Sequence, residues 1–167
     1  EYLLLPDIQV IKEDLNDAQI KSLLLQADVL VAPSRGEGFG LPIGEAMRLE
    51  VPVITTSWGG QLDFCNHDNC WLIDFEYKTA QSHFNIDQSY WAEPSLSHLR
   101  QSLIDIYSCT SEEITKKTKL AKKVTDNLTW NSVAKKNIDF VKYKLAKFQN
   151  TYSKLGVIST WNTKCGI

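Results

Sequence analysis

The hydrophobic positions along the 167-residue chain fall into two regimes. In the first half, short apolar runs alternate with stretches of helical spacing. Ile8-Gln9-Val10-Ile11 has the composition of a strand, and Asp17 stands where an N-cap would open a helix carrying Ile20, Leu23, Leu24 and Ala27. Asp28 to Ala32 is a nearly continuous apolar run, as expected for a strand buried on both faces of a parallel sheet. A glycine-rich loop, Pro33 to Gly40, leads into a helix predicted from about Leu41 to Leu49, with Pro42 in its first turn, where a missing N–H costs nothing. Val51 to Ile54 and Trp71 to Ile73 read as two further strands. Strand, helix, strand, helix, strand predicts an α/β fold: a Rossmann-like parallel sheet flanked by helices, with right-handed crossovers.

The second half changes period. Leu96, Leu99, Leu103 and Ile106 fall at helical spacing, as do Ile114, Ala121, Val124 and Leu128, and then Trp130, Ala134, Ile138, Val141, Leu145 and Phe148. Three helices are therefore expected to close the domain. Between Asp74 and Pro94 the chain is polar without a clear period, which predicts a long surface excursion overhanging a cleft. Residues 1–150 are expected to form a partial domain. Residues 151–167 read as a linker followed by the opening strand (Leu155 to Trp161) and loop of another module. The only methionine is Met47, so Glu1 is expected to lie inside a longer chain.

Charge narrows the function classes. A net charge of −2 gives no electrostatic footprint for nucleic acid, and no run of 18 apolar residues offers a membrane span. Residues 111–150 hold ten lysines against four acids, but the lysines avoid the apolar stripes and read as a solvated face. The four cysteines are too scattered for a disulfide framework and are expected to be free thiols. Cys65, His67 and Cys70 supply three possible ligands within six residues, yet no second Cys/His pair at zinc spacing follows, so no metal is expected.

The chemistry concentrates in Gly36-Glu37-Gly38-Phe39-Gly40, which follows a strand and opens a helix. Glycines at a helix N-terminus let backbone amides approach an anion, and the helix dipole favours negative charge, so a phosphate-bearing ligand is the first expectation. The dinucleotide fingerprint G-x-G-x-x-G fails, because Leu41 occupies the third glycine position. Glu37 and Glu45 stand eight residues apart and are expected to look into one cleft. Two carboxylates beside a phosphate suit hydroxyl groups, since a carboxylate accepts two hydrogen bonds from a vicinal diol. Phosphate on the amides and diols on the carboxylates together describe a nucleotide sugar.

The stretch Ala27 to Met47, with its core Pro33-Ser34-Arg35-Gly36-Glu37-Gly38-Phe39-Gly40-Leu41-Pro42 and Glu45-Ala46-Met47, resembles the signature of family-4 retaining glycosyltransferases of GT-B fold. Pro52-Val53-Ile54, Gly59-Gly60 and Trp91 to Pro94 match it too, and the similarity runs from about Ile8 to Lys147. The resemblance implies that Glu45 holds the ribose and that Glu37, by the transferred sugar, is the catalytic residue. It implies that Gly36, Gly38, Phe39, Gly40 and Leu41 complete the donor-binding set. It further implies a nucleoside-diphosphate sugar as donor, and a sugar or lipid-linked sugar as acceptor. No cofactor or metal is implied. The partner would be the chain's own preceding N-terminal domain, and the setting polysaccharide or glycoconjugate biosynthesis in the cytoplasm or at the inner membrane surface. An isolated donor domain is not expected to transfer sugar. The alternative is a non-catalytic nucleotide-sugar-binding or scaffold module. Two departures stand out. Glu50-Val51 occupies a place where the family commonly has a small residue or glycine, read as local packing variation. The basic pair that clamps the diphosphate would precede Glu1.

Overall fold

A computed structural model describes residues 7–81 and 88–147. The chain divides into two units, residues 1–127 and 128–167. In the first, the order is α1 (Asp17–Leu25), β1 (Leu30–Ala32), α2 (Leu41–Arg48), β2 (Val53–Thr56), a 3-10 turn (Gly60–Asp63), β3 (Trp71–Ile73), β4 (Phe75–Thr79), β5 (Tyr90–Pro94), α3 (Leu96–Ser108) and α4 (Ser111–Thr125). The second unit's described part is α5 (Trp130–Lys147). The tail expected to open a new module, with Cys165, lies outside the described residues.

β1, β2 and β3 form a parallel sheet in that order, with Leu30 opposite Val53 and Ile54 opposite Trp71. The α/β architecture expected from the alternating pattern is therefore present. All four residues of β2 are buried, which suits a central strand rich in β-branched side chains. Ile54 packs with Ile73 and with Ile106 of α3, and Val29, Trp71 and Leu99 close around them. Ile43, Ala46 and Met47 supply the buried face of α2.

Several expectations change. Ile8 to Ile11 forms no strand: Ile8, Val10 and Ile11 are exposed, and no neighbouring strand pairs with them among the described residues. α1 is capped by Asn16, one residue before the expected Asp17. Asn16 accepts from the Gln19 amide while the Gln19 side chain returns to the Asn16 N–H. β1 is not buried on both faces, since Val31 is 38% exposed. α4 buries Thr118, Ala121 and Thr125, a face of small side chains, and leaves Ile114 and Val124 only half-buried. α5 forms as the spacing predicts, and none of its residues is buried among the described residues.

The largest correction concerns residues 74–94. In place of an irregular excursion, β4 and β5 pair antiparallel, with Tyr77 opposite Ala92 and Thr79 opposite Tyr90. Alternation puts Phe75, Tyr77, Tyr90 and Pro94 on one face, and Glu76, Lys78, Trp91 and Glu93 on the other. Within the connection between the two strands, residues 82–87 are outside those described.

Candidate functional site

The glycine-rich loop joins the C-terminal end of β1 to α2. Gly40 is the N-cap of α2 and has φ 86°, a left-handed conformation that glycine takes without steric penalty. No side chain caps this helix and no acid sits in its first turn. A helix leaves its first N–H groups without intrahelical partners, so this end of α2 offers donors and the positive end of a dipole.

The loop is held from three sides. Behind it, the Gly60 N–H donates to the Glu37 carbonyl at 2.8 Å. The approach is so close that a Cβ on Gly60 would stand 1.9 Å from the Gly38 carbonyl oxygen. To one side, the Ala92 N–H of β5 donates to the Arg35 carbonyl (3.2 Å), extending the hairpin edge by one more hydrogen bond. The Arg35 guanidinium donates to both carboxylate oxygens of Glu93 at 2.7 and 2.8 Å and lies 4.4 Å from the Trp91 ring centroid. That pairing raises the Arg35 pKa and lowers that of Glu93, in both cases mainly through the hydrogen bond itself. On the third side the rings of Phe39 and Phe64 lie 5.1 Å apart. The remaining side is open. A Cβ on Gly38 would meet nothing within 4 Å, so packing within the chain does not demand a glycine there.

Glu37 is half-buried, and the Ser34 hydroxyl donates to its Oε1 at 2.9 Å. Glu45 stands on the exposed stripe of α2 with Leu41 and Arg48, the face opposite Ile43 and Met47. It lines a cavity of about 490 Å³ with Ile20 and Leu24 of α1, Arg48, Lys122 of α4 and Asp126 just after it. Glu37 is not among the residues lining this cavity, so the two carboxylates expected in one cleft do not line this one together. Leu41 and Phe39 are exposed, at 65% and 42%.

Two features were missed by sequence reasoning. Arg35 fixes the loop to the hairpin, and its partner Glu93 lies fifty-eight residues away, beyond the reach of any local pattern. Glu50, read as a packing variation, has φ 62°, the left-handed conformation in which a glycine would be at ease. Its carboxylate meets Lys122 at 2.8 Å, and that hydrogen bond lowers the Glu50 pKa. Lys122 is thus not part of a merely solvated face, and neither is Lys117, which donates to the carbonyls of His67 and Cys70 and lies over the Trp71 ring.

Cys65 and Cys70 are free and buried while His67 is exposed, so the three candidate ligands do not converge. Cys65 Sγ lies 3.6 Å from Met47 Sδ, and Cys70 donates to the Asn66 carbonyl at 3.2 Å. Contact with Cys70 and burial both push the Cys65 thiol up, keeping it protonated. Among the described residues no group of three or more His, Cys, Asp or Glu side chains is placed to hold a metal ion, and no helix is long and apolar enough to cross a membrane.

The fold agrees with that of a solved relative. The chain is 28% identical over 99 residues to a protein of Sulfolobus islandicus filamentous virus (isolate Iceland/Hveragerdi) named as a candidate glycosyltransferase, number 45. That match covers 58% of this chain and 28% of the relative. The crystal structure of a glycosyltransferase from Rickettsia africae ESF-5 superposes with a TM-score of 0.57 at 21% identity, covering 81% of this chain and 31% of that one. The chain thus spans less than a third of the length of either relative. The family model for glycosyl transferases group 1 matches residues 1–88, the segment that contains the glycine-rich loop, α2 and the Gly59-Gly60 turn, and the chain belongs to that family.

Proposed function

We propose that this chain is the donor-binding half of a two-domain, GT-B-type glycosyltransferase, which binds a nucleoside-diphosphate sugar and passes the sugar, with retention, to a hydroxyl acceptor. The observation that carries the reading is the loop itself: an uncapped α2 opened by left-handed Gly40, free space over Gly38, and Glu37 carried within the loop. In this reading the amides from Gly36 to Leu41 take the diphosphate and Glu45 takes the ribose diol. Apart from lining the cavity, the Glu45 carboxylate makes no hydrogen bond or ion pair among the described residues, which leaves it available. Glu37, pre-set by Ser34, stands beside the sugar and supports positive charge at the reacting carbon. No resident metal or cofactor has a part in the scheme. The acceptor is a sugar or lipid-linked sugar in polysaccharide or glycoconjugate assembly, at the cytoplasmic side of a membrane. Closure by a second domain supplies water exclusion, so the chain alone binds donor without turning it over.

Calorimetry with UDP and GDP tests this. Glu45→Ala is expected to weaken nucleoside-diphosphate binding by about 1.5–3 kcal/mol, the worth of hydrogen bonds to a charged group. Glu37→Gln is expected to leave that affinity nearly unchanged and to depress turnover of the complete enzyme, because its interaction belongs to the transition state. A folded Glu45→Ala protein with unaltered affinity would overturn the ribose assignment.

A further inference from the structure

We propose that the aromatic face of the β4–β5 hairpin is a saccharide platform that holds the acceptor glycan beside the donor loop, an inference that rests on the glycosyl-transfer reading above. Trp58, which follows β2, makes a cluster with Phe75 and Tyr77. Trp58 is 6.4 Å from Phe75 and 6.2 Å from Tyr77 between ring centroids, and Phe75 and Tyr77 are 5.3 Å apart. The two contacts of Tyr77 are edge-on, which sets its ring against the other two while 61% of the residue stays exposed. Tyr90, on the same hairpin face one diagonal step from Tyr77, is 63% exposed. Diagonal neighbours across an antiparallel pair are about 7–8 Å apart, within reach of aromatic side chains. Every residue of this face is uncharged: Phe75, Tyr77 and Thr79 on β4, Tyr90, Ala92 and Pro94 on β5.

The occupant follows from this chemistry and from position. A pyranose ring has an apolar C–H face and a hydroxyl rim. Tyrosine has the matching form, an apolar body with a polar tip, and aromatic rings carry a negative face toward which polarised C–H groups are drawn. The patch is also continuous with the loop. Trp58 reaches within 3.6 Å of the Cβ position on Gly36. The hairpin edge is tied to Arg35 by the Ala92 amide and the Glu93 pair. Arg35 is two residues from Glu37, so the platform holds a constant place relative to the carboxylate that faces the transferred sugar. The charged residues are kept to the opposite hairpin face, where Glu93 fastens the loop and Glu76 pairs with Lys78.

Saturation-transfer NMR with cellotriose and with chitotriose, run beside UDP and GDP calorimetry on the same samples, tests the proposal. Saccharide contact is expected in the wild-type protein. Tyr77→Ala is expected to weaken it roughly fivefold to tenfold, Tyr77→Phe to retain it, and neither to change nucleoside-diphosphate affinity. Tyr90→Ala is a second variant at an equally exposed position. Saccharide contact that persists unchanged in both alanine variants overturns the platform. So does its absence from wild-type protein that still binds nucleoside diphosphate, and in both cases the donor site stands. Saccharide binding without nucleoside-diphosphate binding supports the platform and removes the donor reading. Sedimentation that shows a dimer dissolved by Tyr77→Ala gives the face to a second copy of the chain and overturns the proposal.

Discussion

Replacing Gly60 by alanine tests whether the candidate donor loop is held from behind. The new Cβ would stand 1.9 Å from the Gly38 carbonyl oxygen, 2.6 Å from its carbon and 3.2 Å from the Glu37 carbonyl oxygen. Side-chain carbons do not approach within 3.0 Å of such atoms, so loop and turn must separate by more than an ångström. The obstacle is backbone, which cannot swing aside as a side-chain tip does. Separation breaks the 2.8 Å bond from the Gly60 amide to the Glu37 carbonyl, worth about 0.5–1.5 kcal/mol. Overpacking adds about 1–3 kcal/mol. Gly60→Ala is therefore expected to cost about 2–4 kcal/mol in urea denaturation and to disturb Glu37, which the loop carries. Gly38→Ala is the control. Its Cβ meets nothing within 4 Å, so stability should stay within about 0.5 kcal/mol of wild type while UDP or GDP binding weakens, because the methyl group stands where ligand would approach. A Gly60→Ala protein as stable as wild type would refute the buttress. Equal loss of stability in both variants would refute the contrast between a packed side and an open one.

Two further expectations concern neighbouring positions. Glu50 holds a left-handed backbone at a cost of about 1–2 kcal/mol and regains part of it through Lys122. Glu50→Gly should thus be more stable than Glu50→Ala by about 1 kcal/mol, and denaturation midpoints that rank the other way would contradict the strain. Arg35 holds the Glu93 pKa below its ordinary 4.5, so the pair stabilises the hairpin–loop contact above that value and releases it as pH falls through the lowered pKa. The protection factor of the Ala92 amide, its exchange rate taken relative to the intrinsic rate at each pH, should fall between neutral pH and about pH 3, and Glu93→Gln should remove that pH dependence.

How far the fold was legible depended on whether an element's partners lie close in sequence. β2 and α2 could be read directly, because Val53-Ile54 and Ile43, Ala46 and Met47 declare buried positions without reference to anything distant. Ile8 to Ile11 misled, since a strand needs a neighbour for its backbone groups and apolar content does not provide one. The hairpin was missed for the opposite reason. Both of its faces carry large residues, aromatic on one and charged plus Trp91 on the other, so hydrophobicity does not alternate even though the faces do. α5 shows a third case: Ile138, Val141 and Leu145 keep helical spacing, and the helix forms, but no residue on it is buried. Periodicity reports a preferred face and is silent on what meets it.

The same distinction applies to the site. Gly36 to Gly40 and Glu37 were recognisable as chemistry because their composition is unusual over a few residues. What makes the loop rigid is spread across the chain: Gly60 twenty-two residues beyond Gly38, and Glu93 fifty-eight beyond Arg35. A loop that must present amides to a developing negative charge gains from being fixed before the ligand arrives, since donors already aimed need no reorganisation. Here the fixing contacts lie on the sides turned away from the open space over Gly38: a backbone hydrogen bond behind, a bidentate ion pair at the hairpin edge, an aromatic pair at Phe39. Each can be weakened from its distant partner, Gly60, Glu93 or Phe64, without changing a residue of the donor loop. A Glu93 or Gly60 variant that leaves Glu37 and Glu45 in place should therefore lose donor affinity through looseness of the loop, and affinity should fall in proportion to loop mobility rather than to any lost ligand contact.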